Sequence, residues 1–386
     1  MTRRLVLLGG GHAHLFVLEA LAGGRFAGCD ATLVSPVQRQ AYSGMVPGML
    51  AGQYQPGQLS FDLEAIARAA GVSYVGTAAA AIRADAAEVE LADGARLGYD
   101  VLSVATGSTV QGGDLPGVAD RALLLKPIER ALEIVPALER AVRADVDPAV
   151  VVVGGGAAGI EIALAARARL RLLAGRDAGT VTLLEAAPRL LGGEQQAGEG
   201  AVRRALVRNR VFFRLSAEVR SASAEAVCLA DGTELPARVL IWAAGAASPG
   251  LLRSSGLAVD SRGFLLVDER LRSVSDARVF AAGDAASLAA WPDTPKAGVY
   301  AVREGPVLRD NLAAACAGAD PPRSYTPQRR FLALLNTGDG RAVLSYPPWA
   351  AYGRWVMQLK NWIDRGFVRR FQRLEGSEKQ EVRSEQ

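Results

Sequence analysis

The hydrophobic positions of this chain fall in short unbroken blocks, and the blocks recur. Leu5–His14 reads LVLLGGGHAH and Val150–Gly159 reads VVVVGGGAAG: an apolar run, three glycines, then a helix-forming stretch. A second apolar run follows each, ATLVSP at 31–36 and VTLLEA at 181–186. Further on, Asp93-Gly94 leads through VLSVATG to Gly107, and Asp231-Gly232 leads through VLIWAAG to Gly245, both at an offset of 138 residues. Strands buried on both faces read as continuous apolar runs, and strands alternating with helices predict a parallel, doubly wound sheet. The pattern predicts two copies of one plan: strand, glycine loop, helix, strand, a hairpin-like strand pair and a final core strand.

The expected class is α/β, with two Rossmann-like dinucleotide-binding domains, one inserted in the other, and a small C-terminal α+β region. Residues 1–112 and 246–322 are expected to form the outer domain and 113–245 the inserted one. Residues 323–374 are expected to form the C-terminal region, and 375–386 a flexible tail. The run RVFAAGD at 278–284 and a helix from about Lys296 to Ala317 are expected to rejoin the first domain. Gly/Pro-rich stretches at 107–117 and 245–250 suit the two crossings.

The glycine loops carry the first chemistry. In Gly9-x-Gly11-x-x-His14 the first glycine permits a tight turn, and the second lets backbone approach a pyrophosphate at a helix N-terminus. His14 stands where a third glycine is usual; Ser35 ends the following strand. Gly154-x-Gly156-x-x-Gly159 is complete, with Ala158 inside it, and Glu185 ends the next strand 31 residues after Gly154. A carboxylate there accepts both ribose hydroxyls and repels a 2′-phosphate, so NADH is expected over NADPH.

Composition narrows the chemistry. The 386 residues carry three cysteines, far apart in sequence, and two histidines, His12 and His14. No CxxC pair, zinc pattern or Ser–His–Asp triad is available, so no metal is expected and no local redox disulfide. No uncharged apolar run is long enough to cross a membrane. A flavin is then the natural electron carrier between two nucleotides. The net charge of +4 is uneven: residues 323–373 hold +8, while the rest is slightly acidic, which argues against nucleic acid as a partner.

These residues resemble the pyridine nucleotide–disulfide oxidoreductase superfamily over about residues 1–320. GGGHAH, YSGMVPG at 42–48, DVLSVATG and KAGVYAVREG at 296–305 look most like a type II NADH dehydrogenase-like branch, often associated with selenophosphate synthetase. The resemblance implies FAD and NADH and a ping-pong cycle, with hydride passing to flavin and electrons then to an acceptor such as a quinone. It implies Gly283 and Asp284 at the ribityl chain, and Ala105, Thr106 and Gly107 beside the flavin. Ala244 and Gly245 are their counterparts in the second copy. Lys296 and Ala297 open a helix near flavin N1, where Lys296 would stabilise negative charge. Glu161 is expected near nicotinamide, or in a local pair. His12 is expected to bind cofactor, and Tyr42, Met45 and Pro47 to line the flavin face or form a turn. The cysteine pair of disulfide reductases is absent from YSGMVPG. Val299, Arg303 and Glu304 stand where the quinone reductases carry glutamines.

From Trp349 to Leu374, Tyr352, Trp355, Val356, Leu359, Trp362, Ile363, Phe367 and Phe371 recur at helical spacing. Arg354, Lys360, Asp364, Arg365 and Arg369 are expected on the opposite side, with Gly366 an interruption. Such a basic amphipathic helix either lies in an anionic membrane interface or packs on the core or a second subunit of a homodimer. The expected location is cytoplasmic, peripheral on the inner membrane's cytoplasmic face if the helix binds lipid.

Overall fold

The structure is a computed structural model that describes residues 2–144, 148–175 and 178–376. Its two main sheets use ten strands, numbered here along the chain. They are Arg3–Leu8 (β1), Cys29–Val34 (β2), Ser73–Val75 (β3), Val101–Val104 (β4), Ala122–Leu124 (β5), Ala149–Val153 (β6), Thr180–Leu184 (β7), Phe212–Arg214 (β8), Val239–Trp242 (β9) and Val279–Ala281 (β10). The first sheet runs β10-β4-β1-β2-β3 and the second β5-β9-β6-β7-β8. Every pairing in both is parallel. The glycine-loop strands β1 and β6 stand at the centre of each, and β4 and β9, the 138-offset pair, stand beside them. Continuous apolar sequence becomes continuous burial: all four residues of β4 and of β9 are buried.

Each half also carries an antiparallel sheet of three strands, where two were expected. Asp93-Gly94 and Asp231-Gly232 lie between the second and third strands of these sheets, with the glycines at φ +87° and +81°. The second sheet is built from residues 122–242, inside the sequence span of the first. The two crossings zip together as an antiparallel pair, Thr109 opposite Ala247, which are again 138 residues apart.

Four long helices pack around the sheets: His12–Ala22 (α1), Ala157–Ala174 (α2), Gly298–Cys316 (α3) and Arg354–Gln372 (α4). α1 and α3 pack closely because Gly305 presents no side chain to Phe16; a Cβ there would lie 2.2 Å from the Phe16 ring. The C-terminal region is an antiparallel sheet of Ala333–Asn336, Ala342–Tyr346 and Trp349–Gly353, followed by α4 and a turn at Arg373–Gly376.

Three expectations for this region need correction. Trp349–Gly353 is a strand paired with Ala342–Tyr346, so the helix starts only at Arg354. Gly366 does not interrupt it. Lys360 and Asp364 face the protein, not solvent: their side chains are 6% and 7% exposed and their charged groups lie 3.0 Å apart. The helical phase is set by Val356, Lys360, Asp364, Val368 and Phe371, all buried. This turns Trp355, Trp362 and Ile363 outward, at 55%, 76% and 38% exposure. An i,i+4 ion pair that also donates to Gly44 O at 2.9 Å can be taken out of water, and charge alone misreads its face. The tail expected at 375–386 is partly in the closing turn, where Glu375 accepts from Asp62 N at 3.0 Å; residues 377–386 lie outside the described residues.

Candidate functional site

The C-terminal ends of the two parallel sheets open on one cleft of about 1420 Å³. Single-ligand pockets usually hold roughly 300–1,000 Å³, so this cleft has room for more than one small molecule. Both glycine loops line it.

In the first loop, Gly9 is at φ +88° and a Cβ would meet Ala105 O at 2.6 Å. Gly11 is as tight, at 2.5 Å from the same carbonyl. In the second, Gly154 is at φ +115° and a Cβ would lie 2.6 Å from Ala243 O. Gly11 and Gly156 cap α1 and α2, and neither cap supplies a side-chain hydrogen bond or is followed by an acid in the first turn. Two helix N-termini therefore present free amides and partial positive charge to the cleft, as an anionic pyrophosphate requires.

The third position of each motif solves one packing problem in two ways. In α2, Gly159 lies against Gly154 O, which a Cβ would meet at 1.8 Å. In α1, His14 meets the equivalent carbonyl with a hydrogen bond: its Nδ1 is 2.6 Å from Gly9 O and its Nε2 is 2.8 Å from Ser103 Oγ. Burial pushes the His14 pKa down to about 4, so the neutral ring ties loop, helix and β4 together. His12 lines the cleft. Burial lowers its pKa to about 4 as well, and its Nε2 is buried with no partner, so it has hydrogen-bonding capacity left for a ligand.

Ala105, Thr106, Gly107 and Ser35 lie at the strand ends on the first-sheet side of the cleft, and Ala244 and Gly245 on the second. Ser35 Oγ donates to Val37 O at 3.0 Å, which shapes the turn after β2. Gly283 and Asp284 follow β10. Asp284 Oδ2 accepts from Ser108 Oγ at 2.8 Å and from Lys126 Nζ at 2.5 Å. Burial opposes its charge, yet the Lys126 ammonium and Ser108 hydroxyl hold its carboxyl below the usual range. Glu304 fixes this turn from α3 by accepting Gly283 N at 2.6 Å, and burial raises its own pKa to about 7.

Lys126 was missed by sequence reasoning. The signal was its rarity: the chain has four lysines against forty arginines. Lys126 and Lys296 line the cleft, Lys360 lies behind it, and Lys379 is outside the described residues. Lys296 and Ala297 precede α3 as expected. The Lys296 ammonium donates to Ala286 O and sits 4.2 Å over the Phe264 ring. Burial lowers its pKa to about 8, partly offset by Asp284. Lys126, not Lys296, makes the direct ion pair with Asp284.

Glu161 rises from the second turn of α2 into the cleft, where its carboxylate accepts Asn336 N at 2.7 Å. Burial pushes its pKa up to about 7, against the pull of Lys360. Tyr42 is not on the cleft wall. It stacks on Phe367 of α4 at 4.8 Å and lies 3.5 Å from Asp364 Oδ1. Pro47 lines the cleft, whereas Met45 is fully buried. Glu161, Lys360, Asp364 and Tyr42 thus join α2, α4 and the Tyr42 segment in one buried polar cluster, which sequence spacing did not reveal. Glu185 directly follows β7, with its carboxylate oriented by Gly155 N at 2.5 Å and Ala187 N at 2.7 Å. Among the described residues no group of three or more His, Cys, Asp or Glu could hold a metal ion.

Two five-stranded parallel sheets, each with a glycine loop at its central strand and an uncapped helix facing one cleft, define a two-dinucleotide-fold protein. The sequence profile of the pyridine nucleotide–disulphide oxidoreductases matches residues 3–305, and the chain belongs to that family. It is 33% identical over 224 residues to an NADH dehydrogenase-like protein of Mycobacterium tuberculosis, covering 56% of each chain. The chain thus spans little more than half the length of this relative. It is 23% identical to the demethylphylloquinone reductase of a Synechocystis species, over 89% of this chain and 86% of that one. In fold it is similar to the sulfide:quinone oxidoreductase of Aquifex aeolicus, with a TM-score of 0.79, 17% identity, and coverage of 99% and 94%.

Proposed function

We propose that the chain is an FAD-dependent NADH dehydrogenase whose electrons leave to a quinone. The carrying observation is the pair of uncapped helix N-termini that open, with their glycine loops, on a single cleft. The first loop fits the FAD pyrophosphate, with Asp284 at the ribityl chain and the Lys126 ammonium beside it. The second loop fits NADH, with Glu185 at the adenosine ribose. Bound flavin would supply the two-electron chemistry, taking a hydride from NADH and handing electrons on.

The chain's own residues bind, orient and move protons. The helix dipoles hold the two pyrophosphates, and Lys296 and Lys126 offset negative charge at the flavin. Hydride transfer needs alignment more than a side-chain acid, so the scarcity of histidine is no obstacle. An acceptor that takes two electrons also needs protons. Glu161, with a pKa near 7 and a place on the cleft wall, is the group to hold one. The quinone reading draws on the relatives named for quinone reduction.

Purified yellow protein mixed with NADH in a stopped-flow instrument should bleach within the dead time or soon after, and a soluble quinone should restore the colour. Bleaching without quinone turnover would move the acceptor to another small molecule or protein. A long-lived reduced complex with every acceptor would favour a sensor. A chain that binds no flavin would sink the reading. Glu185→Ala should cut the preference for NADH over NADPH by roughly tenfold or more, since it removes both the ribose contact and the repulsion of a 2′-phosphate. Unchanged discrimination would remove Glu185 from that role.

Membrane attachment is part of the same proposal. Trp349, Trp355 and Trp362 are 72%, 55% and 76% exposed, with exposed Arg354, Arg365 and Arg369 nearby. Aromatic side chains among cations suit an anionic interface. No helix among the described residues is long and apolar enough to cross a membrane. Trp355→Ser/Trp362→Ser protein should lose most of its flotation with anionic vesicles; equal flotation would leave the face without this role.

A further inference from the structure

Three cysteines scattered at positions 29, 228 and 316 gave no reason to expect a redox pair. Folding changes that. Cys29 opens β2, where it stands opposite Arg3 of β1, and Cys316 ends α3. Their sulfurs lie 3.4 Å apart, although 287 residues separate them. The two elements are held in place independently of the sulfurs: the Arg3 guanidinium donates to Ala315 O at 2.7 Å, and Arg3 N donates to Gly28 O at 2.9 Å. The residues just before each cysteine are thus clamped to one arginine on the first strand.

We propose that Cys29 and Cys316 form a reversible intramolecular disulfide when the protein meets a peroxide or a small-molecule disulfide. Both are free thiols in the structure. A disulfide bond is about 2.0 Å long, so the sulfurs need approach by only about 1.4 Å, within reach of side-chain rotation. Cys29 is half-buried and Cys316 buried, so a small oxidant meets Cys29 first. Its thiolate is also the favoured one: contact with Cys316 holds the Cys29 thiol below its ordinary value, whereas the same contact and burial push the Cys316 thiol up.

With a peroxide, the Cys29 thiolate attacks one oxygen, the O–O bond breaks and a sulfenic acid forms as hydroxide leaves. The Cys316 sulfur then attacks the Cys29 sulfur, the S–O bond breaks and water leaves with the remaining proton. Two thiols and one hydrogen peroxide become one disulfide and two waters. Cys228 takes no part. It lies in the antiparallel sheet of the other half, with its sulfur turned to Leu229 O at 3.6 Å.

The consequence is mechanical. α3 begins beside the cleft, at Gly298 just after Lys296 and Ala297, and ends at Cys316. A cross-link at its far end pins the helix to the sheet that carries the first glycine loop. It closes a loop of 287 residues in a chain of 386, so the oxidised protein should melt higher, by roughly 5 °C or more.

The test uses the full chain with whatever cofactor it retains. Cys228→Ser protein keeps both partners and should lose about 2 Da on mild treatment with hydrogen peroxide or glutathione disulfide, and its titratable thiols should fall from two to none. A Cys29–Cys316 peptide cross-link should appear in the digest, and dithiothreitol should reverse all three changes. Cys316→Ala protein should neither form the cross-link nor melt higher after oxidation. It should gain about 16 Da, or a glutathione adduct, at Cys29. Two thiols surviving oxidant in the Cys228→Ser protein, or cross-links only between molecules, would overturn the proposal. None of these readouts depends on the electron acceptor.

Discussion

Asp284→Ala protein is expected to leave purification largely colourless. In the native chain the Asp284 carboxylate is pinned by Ser108 at 2.8 Å and Lys126 at 2.5 Å. It is therefore held in one orientation, the one in which the proposed function has it meet the ribityl hydroxyls. A hydrogen bond to a charged partner contributes about 1.5–3 kcal/mol, or roughly 10–100-fold in flavin affinity. The variant also strands a partly buried ammonium. Complete burial of an unpaired charge costs about 3–5 kcal/mol; Lys126 keeps 29% of its side-chain exposure, so about 2 kcal/mol is the expected share. The absorbance ratio at flavin and protein wavelengths, followed by titration of the stripped protein with FAD, measures the loss. Lys126→Met should weaken retention less, because Ser108 still orients the carboxylate. If Asp284→Ala protein holds flavin as tightly as the native chain, the ribityl assignment fails.

The second large effect is expected at α4. Lys360→Met should lower the melting temperature by about 5–10 °C, because Asp364 is left at 7% exposure without its counter-ion. Lys360→Met/Asp364→Leu should recover most of that loss, since replacing both members of a buried pair by apolar groups is often neutral. The pH response separates packing from electrostatics. Burial raises the Glu161 pKa from 4.5 to about 7 in the folded chain, and Lys360 opposes the rise. A carboxyl raised on folding contributes stability below its unfolded value, and that contribution is lost as pH rises through the folded value. The native chain should accordingly lose stability from Glu161 between about pH 4.5 and 7. Lys360→Met should stretch that loss upward. In the same variant, any acceptor step that uses the Glu161 proton should keep its acid form to higher pH. A pH profile of reoxidation with an unmoved midpoint would take Glu161 out of the proton path.

Much of the fold could be read before any coordinates, because buried parallel strands leave apolar blocks that survive in one dimension. The 138-residue offset reappears as matched positions in two sheets and as the Thr109–Ala247 pairing. Glycine loops were legible for the same reason: Gly9 and Gly154 need conformations that side chains rarely adopt. What was not legible depends on long-range closure. Lys126 meets Asp284 across 158 residues, and Glu161 takes Asn336 N across 175. No local pattern reports such meetings. His14 looked like a defect in a glycine motif, yet it bonds the carbonyl against which Gly159 merely fits. The C-terminal helix was misread for a third reason. Charged residues were assigned to water, whereas Lys360 and Asp364 neutralise each other inside.

The four lysines carry a practical consequence. Because arginine supplies nearly all of the positive charge, an amine-selective reagent has few targets on this chain, and three of its four side-chain targets are at or behind the cleft. Reductive methylation with an isotopically labelled methyl donor would therefore place a handful of sharp signals at the site itself. Lys126 and Lys296 would be shielded by a bound nucleotide and Lys360 by the fold, so the order in which they react would read occupancy separately from unfolding.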